Sequence, residues 1–387
     1  MRIALDPWVL DQRFRSAGSY VYAYNVFRQL RSMASGDTGV EFRMLVSSGN
    51  HSYGRELFPP KAGFNWQRTS LLEHYRLWRL GGASISARQA LADVLFAPTF
   101  QVVPVGSIPV VTTIHDATPV LSPAWSSRLL QASTRFFMAA ATRLSRSIIT
   151  ASKWSKKDLV EVYGLPESKV HVVYLGHNEE IFNRSLPDPE SLRRCREKFG
   201  IERNYILHHG FIQPRKNLVR LVQAYRELIE RRGDLDLELV LAGRIGWENE
   251  PLLAEVEKTN QTRGKVILTK ETTEAELGLL VKGATLEVIP SLYEGFCLPM
   301  VEAMACGTPA IVANTSCLPE ISGGVLEYFD PLSVQEICAT IEHVVDNREL
   351  QTRLSIEGAK WANALTWRRC AEETMRVITS AAGGPGE

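Results

Sequence analysis

The 387-residue sequence predicts an α/β protein built from two parallel-sheet domains. Three observations carry that expectation. Short runs of apolar and β-branched residues alternate with amphipathic helical stretches through both halves of the chain. Glycine and proline punctuate the passages from strand to helix, notably at Gly210, Pro214, Pro290 and Pro299. The length exceeds what one ordinary hydrophobic core accommodates. Strands separated by helical crossovers form right-handed βαβ units, so each half reads as a parallel sheet with helices on both faces.

Taken in order, Ile3 to Asp6 opens as a strand, Tyr20 to Met33 follows as a helix, and Phe42 to Ser47 returns as a strand. Strands are also expected at Val94 to Ala97, Val110 to His115 and Ser147 to Ala151, with helices over Ser70 to Leu80, Ser126 to Leu144 and Lys153 to Tyr163. The second half repeats the alternation. Tyr205 to His209, Leu237 to Ala242 and Val266 to Leu268 read as strands, and Asn217 to Arg231 and Thr273 to Gly283 as helices. Ala284 to Pro290 leaves as a strand, and Pro299 suits the first position of a helix that Gly307 and Pro309 stop. Ala310 to Val312 is the next strand, and Trp367 to Ala381 a last helix. The junction is expected around Gly176 to Pro189, giving segments 1–180, 181–366 and 367–387. Such halves are Rossmann-like domains facing a cleft, where ligands bind at the carboxyl ends of the strands.

Composition narrows the class. An apolar fraction of 45% with 22% charged residues describes a folded globular protein. No apolar run approaches the roughly 20 residues of a membrane span. Six cysteines without a C-x-x-C pair, and a start without a signal-peptide pattern, lead to the expectation of a cytoplasmic protein with free thiols. Charge is uneven: residues 1–180 hold 20 Lys and Arg against 13 Asp and Glu, and residues 181–387 hold 24 against 30. The basic first half is expected to meet something anionic. Ser122 to Lys157 carries Arg128, Arg135, Arg143, Arg146, Lys153, Lys156 and Lys157 with no acid, and Phe136, Phe137 and Met138 lie among them. With Tyr75, Arg76, Trp78 and Arg79 this stretch suits peripheral contact with an anionic membrane, although buried aromatics beside a solvated basic face would give the same pattern. No nucleic-acid motif accompanies the charge.

The most informative segment is Ser291-Leu-Tyr-Glu-Gly-Phe-Cys-Leu-Pro-Met-Val-Glu302. A helix starting near Pro299 offers free N–H groups and a positive dipole end at Phe296 to Leu298, with Glu294 in the loop before it and Glu302 in its first turns. An anion seat flanked by two carboxylates that can bind hydroxyls matches a sugar nucleotide, which is two phosphates between two polyols. Gly210-Phe-Ile-Gln-Pro-Arg-Lys-Asn217 puts Arg215 and Lys216 at the entrance of another helix, a diphosphate clamp. His115 and Asp116 end a strand of the first half. His208 and His209 lie within a strand and read as structural.

These segments resemble retaining GT-B glycosyltransferases, most closely family 4: the Glu294 to Glu302 pair as its E-x7-E signature, Gly210 to Asn217 as G-x-x-x-P-R-K-N, and His115-Asp116 as its H-D element. The resemblance implies that Glu294 holds hydroxyls of the donor sugar and Glu302 the ribose hydroxyls. It implies that Gly295, Phe296, Cys297 and Leu298 face sugar and phosphates, and that His115 lies near the transferred carbon. Cys297 stands where the family usually has glycine. The loop around Gly18, which often binds donor phosphate or acceptor, has Ser16 and Ser19 where glycine and arginine are usual. Residues 1–180 would bind acceptor, 181–366 the nucleotide sugar, and the helix in 367–387 would pack back on the first domain, ahead of a flexible tail.

With Arg215 and Lys216 taking the place of a divalent metal, no cofactor or metal is expected. The set looks most like bacterial mannosyltransferases. It implies transfer of mannose from GDP-mannose to a glycan or lipid-linked hydroxyl in surface polysaccharide (including lipopolysaccharide) assembly, at the inner face of the membrane. A nucleotide-binding scaffold without turnover and a sugar-nucleotide epimerase of related fold remain the alternatives.

Overall fold

The computed structural model describes residues 1–10, 18–34, 39–45, 56–67, 78–121 and 128–383. The chain divides into two compact units. The first comprises Met1–Gly176 and Trp367–Glu387, the second His177–Thr366. The division falls at Gly176, short of the boundary expected after residue 180, because His177 pairs with the end of the second unit. Its backbone N–H donates to Leu365 O at 3.3 Å, and its ring Nδ1 lies 2.9 Å from the same oxygen.

The first unit holds a seven-stranded sheet: β1 (Arg2–Leu5), β2 (Glu41–Leu45), β3 (Phe64–Gln67), β4 (Val94–Ala97), β5 (Val110–Thr113), β6 (Ser147–Thr150) and β7 (Val170–Val172). Their order is β3-β2-β1-β4-β5-β6-β7, with every pairing parallel. β4 and β5 are buried along their whole length, which is why they read as unbroken apolar or β-branched runs. The edge strands β3 and β7 went unseen in the sequence; Phe-Asn-Trp-Gln and Val-His-Val are too short and too polar to stand out. The expected helix over Ser70 to Leu80 falls mostly outside the described residues, which resume in a helical turn at Trp78–Gly82. The helix Trp367–Ala382 buries Trp367, Cys370, Ala371, Thr374, Val377, Ile378 and Ala381. That spacing lays one face against the helix Gly18–Met33 and the strands β4 to β6.

The second unit holds β8 (Asn204–His209), β9 (Leu237–Ala242), β10 (Val266–Leu268), β11 (Leu286–Ile289), β12 (Ala310–Ala313) and β13 (Glu327–Phe329), in the order β10-β9-β8-β11-β12-β13, again all parallel. Chain order runs outward in opposite directions from the β8/β11 pair, so the carboxyl ends of these two strands border the crevice where such sheets bind ligands. The helix Leu218–Arg231 follows β8 and buries Leu218, Leu221, Val222, Tyr225, Leu228 and Ile229. The helix Glu274–Gly283 starts with a reciprocal cap between Thr273 and Glu276 and leads into β11.

Where β8 and β9 leave the sheet, two glycines let the backbones touch. Gly210 (φ +122°) donates its N–H to Ala242 O at 2.9 Å. Gly243 (φ +148°) lies so close that a Cβ there would stand 2.0 Å from Gly210 O. Both the steric overlap and the backbone angle exclude a side chain at 243. Gly243→Ala is therefore expected to cost upward of about 2 kcal/mol of stability, read as a lowered urea midpoint; an unchanged midpoint would refute the close approach.

Candidate active site

The loop after β8 turns through Pro214–Lys216 and enters its helix at Asn217, whose φ of 58° is one that asparagine tolerates. The Asn217 amide donates to Pro290 O at 3.0 Å and Pro331 O at 2.7 Å, tying this loop to the one that follows β11. The Leu292 N–H donates to Arg215 O at 2.8 Å and completes the tie. Two cations and a carboxylate meet between these loops. Arg215 Nη1 donates to Glu294 Oε2 at 2.5 Å and to Tyr293 O at 2.8 Å. Lys216 Nζ and Ser291 Oγ donate to Glu294 Oε1 at 2.6 and 2.7 Å. Glu294 and Lys216 are both buried. Burial alone would raise the Glu294 pKa; the charges and hydrogen bonds of Arg215 and Lys216 overcome it and hold the carboxyl at about 2. The cluster carries one net positive charge.

The helix Leu298–Cys306 begins directly after this cluster, with proline in its first turn and Gly307 (φ 72°) closing it. Its N-cap residue, Cys297, makes no side-chain cap, and the positive end of the helix dipole falls at this start. Phe296 and Cys297 are buried against it. Cys297 sits at φ 78°, ψ 74°, a region that glycine enters freely and other residues enter at a cost of roughly 1–2 kcal/mol. The backbone here has the shape a glycine would take, with a thiol added. Burial, then the nearby Glu294 charge, push that thiol up to about 12, so it stays protonated.

A second cluster lies behind Glu302. His209 Nε2 is 2.9 Å from Glu302 Oε2, and His209 Nδ1 is 3.1 Å from Glu287 Oε1 on the neighbouring strand. The His209 backbone N–H also donates to Glu287 Oε1, at 3.0 Å. Burial would lower the His209 pKa, but the two carboxylates raise it to about 9, so the ring is an imidazolium at neutral pH. Glu287 is fully buried, and that burial holds its carboxyl above the ordinary range even beside the histidine. Its chain neighbour His208 points to the other face, with Nδ1 2.8 Å from Val288 O, and burial lowers it to about 3. Adjacent histidines on one strand thus hold opposite charge states, since successive side chains face opposite sides of a sheet.

In the first unit, His115 follows β5 and is half-buried, edge-on against Tyr22, with ring centroids 4.7 Å apart. Both of its ring nitrogens are buried without a hydrogen-bond partner among the described residues, and burial lowers its pKa to about 4. Asp116 does not pair with that ring; its Oδ1 accepts from Thr118 N at 2.9 Å and caps the short helix Thr118–Leu121. Gly18 is the first residue of its helix, and a Cβ there would meet nothing within 4 Å among the described residues. Ser16 and Ala17 of that loop lie outside the described residues. Within Arg128–Leu144, Phe137 and Met138 are core, with the Arg79 guanidinium 3.9 Å from the Phe137 ring centroid, whereas Phe136 is 56% exposed.

Two family descriptions match the chain: "Glycosyltransferase Family 4" over residues 18–181 and "Glycosyl transferases group 1" over residues 193–361. The chain belongs to glycosyltransferase family 4. It is 27% identical over 312 residues to O-antigen chain mannosyltransferase B of Escherichia coli, covering 79% of each chain. It is 28% identical over 290 residues to the serotype-specific mannosyltransferase WbdA of the same organism, which covers 72% of this chain but only 35% of that longer one. The crystal structure of Anabaena HepE in complex with UDP and glucose superposes with a TM-score of 0.73 at 18% identity, over 98% of this chain and 100% of that one. That likeness assigns the GT-B fold to this glycosyltransferase.

Of the residues singled out in the sequence, Arg215, Lys216, Glu294 and the start of the 298–306 helix gather around one point, with Gly210 shaping the loop that brings the cations there. His209, read as structural, also reaches Glu302 through its Nε2. A signal was present: Glu287 is a charge in the middle of the apolar strand Leu-Glu-Val-Ile, and such a charge needs a buried partner.

Two outcomes follow from this geometry. Cys297→Gly is expected to be neutral or stabilising by about 1 kcal/mol, and Cys297→Val to destabilise by about 2; the reverse order in chemical denaturation would contradict the strained backbone. Because the His209 pKa is raised on folding, the stability it contributes is full below pH 6.5 and is lost as pH climbs through about 9. The wild-type melting temperature is expected to fall across that window; a level profile would refute the charged bridge.

Proposed function

We propose that this glycosyltransferase is retaining and metal-independent, and that it moves mannose from GDP-mannose to a hydroxyl of a glycan or lipid-linked acceptor in polysaccharide assembly. The observation that carries the reading is the buried Arg215–Lys216–Glu294 cluster beside an uncapped helix start. A diphosphate brings the negative charge this point lacks. When the bond from the anomeric carbon to the phosphate oxygen breaks, the electron pair leaves with the diphosphate. Arg215, Lys216 and the backbone donors stabilise that charge, the work a divalent ion does in other transferases.

Retention follows if the acceptor oxygen attacks from the face the diphosphate leaves. A new carbon–oxygen bond forms there, and the acceptor proton passes to the departing phosphate oxygen, giving the glycoside and GDP. No protein nucleophile is required, which suits a Glu294 whose oxygens already accept from Arg215, Lys216 and Ser291. Glu294 would orient the cations and, through them, the sugar. Having no hydrogen-bond partner among the described residues, the His115 imidazole suits its expected role toward the sugar as a neutral group. Support for mannose comes from the names of the relatives, O-antigen chain mannosyltransferase B and WbdA.

Thermal shifts with GDP-mannose, UDP-glucose and ADP-glucose, each with and without EDTA, test the donor. Stabilisation by GDP-mannose alone, unchanged by EDTA, and an α-configured product by NMR are expected. A shift with UDP-glucose alone would overturn the donor assignment, and an inverted product the mechanism. Glu294→Gln should cut turnover at least a hundredfold, on the order of 3 kcal/mol in the barrier, and also lower the melting temperature, since it leaves two cations without their carboxylate. Wild-type turnover in that variant would remove Glu294 from the mechanism.

A further inference from the structure

The bridge behind Glu302 goes beyond the site so far assigned. We infer that His209, backed by Glu287, is a positioning residue that holds the Glu302 carboxylate for the ribose hydroxyls of the donor nucleotide. This rests on the reading of Glu302 as the ribose-binding residue.

The geometry fixes the direction of each bond. Glu287 Oε1 accepts the His209 backbone N–H, so it is an acceptor for Nδ1 as well. With Nδ1 donating backwards, Nε2–H donates forwards to Glu302 Oε2 at 2.9 Å. Glu287 is fully buried in β11, and His209 is fully buried at the end of β8, so the pair is part of the rigid sheet. Glu302 stands on the adjoining helix with 16% of its side chain exposed. Oε1 of Glu302 forms no hydrogen bond among the described residues, which leaves it as the acceptor for a ligand. A glutamate on a helix ordinarily samples several rotamers, and fixing one removes that entropy before the ligand arrives. The imidazolium also matters for charge. Two carboxylates alone would carry −2 beside a diphosphate; with His209 the group carries −1.

A purely structural bridge would affect every ligand alike. The test is therefore affinity for GDP against 2′,3′-dideoxy-GDP, by titration calorimetry, or the corresponding UDP pair where UDP binds the wild type more tightly. The double variant His209→Val/Glu287→Leu removes both buried charges together, so it leaves neither unpaired, and circular dichroism melts confirm that it folds. It should bind GDP about tenfold more weakly, with less than a twofold change for the dideoxy nucleotide. His209→Gln/Glu287→Gln, which also removes both charges but keeps an N–H toward Glu302, should recover most of the loss. Equal losses for both nucleotides, or no loss, would overturn the inference. Glu302→Gln separates the two claims. If it weakens GDP no more than the dideoxy nucleotide, the ribose reading falls; if it weakens GDP selectively and the His209 variants do not, only the positioning role falls.

Discussion

One buried carboxylate facing two cations sets the layout of the second unit. Glu294 is taken from water and repaid by Arg215, Lys216 and Ser291 in direct hydrogen bonds. That exchange is favourable only with near-ideal geometry, since the desolvation of three charged groups is large. The loops after β8 and β11 must therefore hold their relative position closely. The Asn217 side-chain amide, spanning to Pro290 and Pro331, and the Leu292 to Arg215 bond do so through uncharged bonds to backbone carbonyls, independent of ionic strength.

The sheet makes this meeting possible. β8 and β11 are neighbours in space though some 80 residues apart in sequence, and each sends a helix away from its carboxyl end. Donors at one helix start, cations at the other and carboxylates between them are brought within a few ångströms by parallel pairing alone. The glycines at 210 and 243 add what side chains would obstruct, the contact between the exits of β8 and β9.

Most of this was legible in the chain. Fully buried strands such as Val-Leu-Phe-Ala announce themselves by unbroken apolar runs, and Pro299 with Gly307 bounds the central helix. The edge strands β3 and β7 did not, because three or four residues interrupted by polar side chains carry no period. Among site residues, Arg215, Lys216 and Glu294 stood out by their local company. His209 did not, because its meaning lies in a partner 78 residues away on another strand. A histidine in an apolar run looks like core until the strand beside it is known to carry a glutamate. Cys297 was visible as an oddity, and its backbone angle explains the oddity: the loop keeps a turn made for glycine.

The buried pair of His209 and Glu287 also constrains how sequences of this kind can diverge. Losing either member alone strands a charge in the sheet, while losing both together for apolar residues of similar volume leaves a sound core. Drift at these two positions should therefore be coupled: relatives will hold both or neither, and those with neither will orient the carboxylate at position 302 by another contact. On that argument the pair would serve as a marker of descent, readable from two columns of aligned sequence.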